Sequence, residues 1–96
     1  MAFHLEQTEI DAFNRDGVVP LRQLINQADL ERLAAAIEDD IREPGPFYHG
    51  YESDEGRFHG NLRLWETHQT FREICLNSEL PGLAQSFFGS RKINLL

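Results

Sequence analysis

The sequence predicts a mostly α-helical chain with one or two short β-strands, and three observations carry that prediction. Apolar residues recur at helical spacing over one long stretch and two shorter ones. Pro44-Gly45-Pro46, Asn77-Ser78 and Gly89 close the stretches. Short strand-like runs stand at 18–21 and at 93–96, each just after a glycine-bearing stop.

The first helix is expected to open at Thr8-Glu9-Ile10-Asp11, which matches the S/T-x-x-D/E pattern of a capped start, with Ile10 and Phe13 on its apolar edge. Gly17 ends it. Val18-Val19-Pro20-Leu21 then reads as an edge strand, because Pro20 removes one ladder donor. Asn26 is the expected cap of the longest helix, Gln27 to Arg42, whose acidic first turn suits the helix dipole. Leu30, Leu33, Ala34, Ile37 and Ile41 follow at helical spacing and predict the buried face.

Pro44-Gly45-Pro46 stops that helix and opens what reads as a long loop over about 44–60, rich in Gly, Tyr, His and acidic groups. After Trp65, Thr67 is placed to cap a helix carrying Phe71, Ile74 and Cys75 on one face. Ser78 is placed to cap the next, with Leu80, Leu83, Ala84, Phe87 and Phe88 along it, Pro81 in its first turn and Gly89 at its stop. Phe87 and Phe88 point about 100° apart on a helix, so one is expected inward and the other in an exposed apolar patch. Ile93-Asn94-Leu95-Leu96 reads as a strand in need of a sheet, which predicts that the chain is incomplete.

Length and charge bound the function. A chain of 96 residues, 41% hydrophobic, has the means to bury roughly 60–65% of its unfolded surface, enough for one small domain. A net charge of −7, with no Lys/Arg run among aromatics, argues against nucleic acid as a partner. The start, Met1-Ala2-Phe3-His4-Leu5-Glu6, lacks the basic and apolar regions of a signal peptide, and the longest apolar run is the five residues Leu33 to Ile37, so no membrane partner is expected. One cysteine, Cys75, forms no internal disulfide and suits the cytosol; on its helix it reads as a small buried hydrophobe.

Chemistry is sparse. Of the four histidines, His4 has the H-x-D/E spacing with Glu6, but it precedes every predicted strand and reads as a chance tripeptide rather than a metal site. His49 and His59 share one loop with Glu52, Asp54 and Glu55, where no regular spacing fixes a geometry, and a solvated polar loop is the expectation. Trp65, between Arg63 and Glu66, reads first as a core aromatic at a helix start. No nucleophile elbow, P-loop or dinucleotide fingerprint is present. Catalytic, cofactor-binding and metal-binding residues are therefore assigned to none of this chain's positions.

One wider pattern adds to this. Ala12-Phe13-x-x-Asp16-Gly17-Val18-Val19-Pro20-Leu21-Arg22-x-Leu24, a long helix, Leu64-Trp65-Glu66 with Phe71-Arg72, Leu80-Pro81, and Gly89-Ser90-x-Lys92-Ile93-Asn94-Leu95-Leu96 together resemble the N-terminal part of the phytanoyl-CoA dioxygenase family. The resemblance covers nearly the whole chain, through motifs that are individually ordinary and fairly specific in their order. It implies the helical support of a double-stranded β-helix (jelly-roll) oxygenase, truncated before the catalytic core. It also implies iron(II) and 2-oxoglutarate as cofactors of the parent enzyme, a small organic molecule as substrate, and packing of the remaining oxygenase domain on the C-terminal strand. The family's H-x-D pair, distal His and 2-oxoglutarate-binding Arg fall beyond Leu96. Arg57, His59, Asn61, Arg63 and Trp65 are the positions the resemblance implies near the mouth of the barrel, as substrate-side contacts. A standalone helical interaction module, using the surface from Trp65 to Phe88, is the competing expectation.

Overall fold

The computed structural model describes residues 3–95, as five helices and one two-stranded sheet. The first helix, α1 (Gln7–Asp16), opens two residues earlier than the Thr8 pattern predicts. Glu6 is its cap, and the Glu9 carboxylate reaches back to accept the Glu6 N–H at 3.0 Å, which leaves Thr8 inside the first turn. Gly17 closes it as expected, in the left-handed conformation (φ 77°), with its N–H on the Phe13 carbonyl at 2.8 Å.

Val18 to Leu21 carries no regular secondary structure and is not the predicted strand. A strand needs a neighbour, and among the described residues the one sheet lies elsewhere and pairs only with itself. Val18 is left 70% exposed.

Helix α2 (Gln27–Arg42) matches its predicted ends, and the Asn26 side chain accepts the Asp29 N–H at 2.8 Å. Its buried face differs from the one predicted. Ala36 and Asp40 are buried, Leu33 and Ile41 half-buried, while Leu30 and Ile37 stand 46% and 49% exposed. The cause is the partner helix, which packs along the Arg32–Ala36–Asp39 side, about 100° round from Ile37. Sequence periodicity located an apolar stripe; packing chose a neighbouring one and left Leu30, Ala34 and Ile37 outward.

The expected loop over 44–60 is a β-hairpin, β1 (Tyr48–Ser53) and β2 (Gly56–Asn61), in antiparallel register from Tyr48↔Asn61 to Ser53↔Gly56. Asp54 and Glu55 make the turn, where Ser53 Oγ accepts the Glu55 N–H at 3.2 Å. The many glycines and polar groups obscured a period-2 pattern. Register puts Tyr48, Gly50, Glu52, Arg57, His59 and Asn61 on one face and His49, Tyr51, Phe58 and Gly60 on the other. On the second face Tyr51 and Phe58 stack at 5.9 Å between centroids. Gly50 is obligatory, since a Cβ there would strike the Tyr48 ring and the Phe58 carbonyl.

A single helical turn, α3 (Leu64–Thr67), leads into α4 (Gln69–Asn77). His68, not Thr67, caps α4: its Nδ1 accepts the Thr70 N–H at 3.2 Å, because Thr67 is still helical. Ile74 is buried in α4, whereas Phe71 and Cys75 are half-buried, so the cysteine is less enclosed than predicted. Glu79, not Ser78, is the cap residue of α5 (Leu80–Phe88), because Ser78 still closes α4; Ser78 Oγ accepts the Leu80 N–H at 3.2 Å, with Pro81 in the first turn and Gly89 (φ 61°) at the end. Phe87 lies 5.1 Å from Phe13 of α1, and Phe88 is 66% exposed, as the 100° spacing predicts.

The predicted terminal strand is irregular over residues 92–95, and Leu96 lies outside the described residues. Here Ser90 Oγ accepts the Lys92 N–H at 3.2 Å and Gln85 Nε2 donates to the Arg91 carbonyl at 2.8 Å, local bonds that hold the backbone against α5. The helices pack as α1 on α5, α5 on α4 and α4 on α2. Ala36 and Ile74 are the buried apolar side chains among the described residues. The radius of gyration, 15.8 Å, exceeds the roughly 12.5 Å of a compact chain this long. The helices form an open layer, and no described helix is long and apolar enough to cross a membrane.

Candidate functional site

The most enclosed polar group is Asp40, in the last turns of α2, and it gathers three elements. His59 Nε2 lies 2.7 Å from Asp40 Oδ2, and Asn61 Nδ2 donates to Asp40 Oδ1 at 2.7 Å. The same amide also donates to the Pro44 carbonyl at 2.7 Å, and Asn61 Oδ1 accepts the Leu62 N–H at 3.0 Å. A carboxylate accepts at both oxygens, so the imidazole meets it as an Nε2–H donor. Side-chain exposures of 10% for Asp40 and 18% for His59 make this a shielded, charge-assisted contact rather than a surface pair. Tyr48 leans on the His59 ring, with centroids 4.8 Å apart.

Two of the five predicted substrate-side residues, His59 and Asn61, thus meet on Asp40. The other three are placed apart. Arg57, near the hairpin tip, faces Glu52 at 3.9 Å. Arg63 has left the sheet: it caps α3 in the left-handed conformation (φ 58°), pairs with Glu66, and holds its guanidinium 5.9 Å from the Phe47 ring centroid. Trp65 is half-buried in α3, and Arg72 donates to its carbonyl at 2.9 Å.

Asp40 escaped the sequence reading because it sits beside Asp39 on what reads as a solvated turn. The available signal was the pair His59-x-Asn61, whose spacing puts both side chains on one strand face. His59 is also less solvated than a polar loop predicts, while His49 is exposed.

Beside this node lies a cleft of about 360 Å³, lined among others by Asp39, Asp40, Phe47, Asn61, Leu64 and His68. Asp39 closes one side: it pairs with Arg42, and His68 Nε2 lies 3.3 Å away. The Arg42 hydrogen bond, with a smaller contribution from His68, holds the Asp39 carboxyl below its ordinary range. Farther along the α2–α4 seam, Glu73 is lowered likewise by Gln69 and then Arg32, which ion-pairs with it.

The donor sets can be tested against iron. Among the described residues no three His, Cys, Asp or Glu side chains converge in a metal-binding group. His59 and Asp40 spend Nε2 and Oδ2 on each other, and His4 meets only Glu6, at 3.3 Å on the surface. These side chains do not fit a two-His, one-carboxylate iron centre. In comparisons with family models, curated proteins and solved structures, nothing matches this chain.

Proposed function

We propose that this chain is the helical N-terminal part of a non-haem iron(II)- and 2-oxoglutarate-dependent dioxygenase that hydroxylates a small organic substrate. The observation that supports this reading is an open helical layer with its most apolar element uncovered. Helix α5 fully buries none of its residues, and α2 turns Leu30 and Ile37 outward. Those faces fit a layer that is completed by the sheet of the remaining oxygenase domain.

In this reading iron and 2-oxoglutarate are held by residues outside the described ones, and the oxygen chemistry is theirs. The hairpin and α3 supply the substrate side. Arg57 and Arg63 offer exposed guanidinium groups to an anionic or polar substrate, Trp65 a flat apolar surface, and His59 and Asn61 fix the hairpin on Asp40. The cleft bounded by Phe13, Val18, Val19, Leu21, Ala84, Phe87 and Phe88 favours a second reading as well, a helical module that binds a partner in trans.

The codons that follow Leu96 and an assay of the encoded polypeptide separate the two. The oxygenase reading expects an H-x-D with a distant His and Arg, and iron-dependent succinate formation by the longer polypeptide. It expects no turnover by the 96-residue chain alone. A stop codon directly after Leu96, or succinate from the short chain above a metal-free control, would overturn it.

A further inference from the structure

The β1–β2 hairpin is attached to the helices in an unusual way. Its strands pack chiefly on each other, and its tie to α2 is the Asp40 node. Both connections to it carry a backbone position at positive φ: Gly45 at 76° on the way in and Arg63 at 58° on the way out. Pro44 and Pro46 have fixed φ, so Gly45 is the free pivot between two stiff residues, and nothing lies within 4 Å of where its Cβ would be. Arg63 holds a conformation that costs a non-glycine residue about 1 kcal/mol or more and that an altered linker would relax.

We infer that the hairpin is a hinged flap, pivoting at Gly45 and Arg63 and latched by Asp40 through His59 and Asn61. The cleft beside the node has Asn61 and Phe47 on the flap side and Asp39, Leu64 and His68 on the helix side, so release of the latch widens it. Coupling of the flap to the helices runs through side chains rather than through a shared sheet, which is what a swinging element requires. The Tyr51–Phe58 stack and the six paired positions of the register keep the flap itself intact as it moves. This inference is independent of the oxygenase reading.

The test uses the 96-residue chain in a Cys75→Ala background, with spin labels at Glu55→Cys on the flap tip and Glu38→Cys on the exposed side of α2. The latched chain gives a single narrow distance distribution. Asp40→Ala is expected to abolish that single distance while helical circular dichroism and the Tyr51–Phe58 ring contact in NMR spectra persist. Asn61→Ala, which leaves the His59 contact in place, is expected to broaden the distribution less. An unchanged distribution in Asp40→Ala overturns the latch. Loss of the ring contact shows a melting strand pair rather than a flap, and loss of helix shows a global support; either result overturns the inference too.

Discussion

The Asp40 node and the Phe13–Phe87–Phe88 end of the molecule are opposites in how they are finished. At the node every partner is supplied by this chain: a helix carboxylate, a strand imidazole, a strand amide and a loop carbonyl satisfy one another. Among the described residues no buried side-chain polar atom lacks a partner. At the aromatic end Phe13 meets Phe87 and Phe88 at 5.1 and 6.1 Å, yet Phe88 and Val18 remain largely in solvent. Polar contacts are directional and saturate with a few atoms, whereas an apolar surface stays unsatisfied until something covers its area. The difference shows which part of the chain is satisfied by its own contacts and which leaves apolar area in solvent.

Asp40→Ala is the largest expected break in that comparison. It strips His59 and Asn61 of their shared acceptor, and an unpaired, shielded donor set costs about 2–3 kcal/mol. Urea denaturation followed by hairpin NMR signals is the measurement. A loss no larger than that of a surface substitution would show that the node is not the hairpin's anchor.

The aromatic end should respond unequally to two similar truncations. Phe13→Ala removes a half-buried ring and both of its aromatic neighbours' contacts, a loss of about 1–2 kcal/mol. Phe88→Ser removes an exposed ring and should stay within about 0.5 kcal/mol, while lowering the binding of a hydrophobic dye. Thermal melting of the two variants side by side checks the ranking. Equal losses would mean that Phe88 is covered in solution, by a second copy or by a chain segment.

Helix starts sharpen the contrast between local and tertiary information. Asn26→Ala should cost about 1 kcal/mol, the usual worth of a side-chain cap, read as a lower melting temperature with α2 frayed at its first turn. This cap was legible in the sequence, as were the span of α2 and the Gly17 and Gly89 stops, because each depends on residues within one turn. Thr8 and Thr67 lost their capping roles to Glu6 and His68, by two residues and by one, shifts that pattern matching alone does not resolve. The hairpin was hidden because its faces pair Tyr48 with Asn61 and Gly50 with His59, combinations with no apolar alternation. The buried side of α2 was illegible for another reason. It was fixed by α4, through Ile74 and the Arg32–Glu73 and Asp39–His68 contacts, whose partners are 41 and 29 residues apart in the chain. Asp40 and His59 form a site only once those elements are folded together.

The smallest effect concerns that α2–α4 seam and its acidity. Asp39 is held below its ordinary range by Arg42 and then His68, and Glu73 by Gln69 and then Arg32. A carboxylate whose folded pKa is depressed contributes stability that is present above its unfolded pKa, near pH 4, and is lost as the pH falls through the lower folded value. Asp39 is exposed and Glu73 half-buried, so solvent and salt screen the contribution and it should be modest. The expected result is a melting temperature that falls on acidification from about pH 5 to about pH 3, with a smaller fall in the Asp39→Asn, Glu73→Gln double variant. The two proteins differ at the seam alone, so the difference between the two curves isolates it. Parallel curves, or a difference that survives high salt undiminished, would assign the acid sensitivity to other groups and leave the packing of α4 on α2 to Ala36 and Ile74 alone.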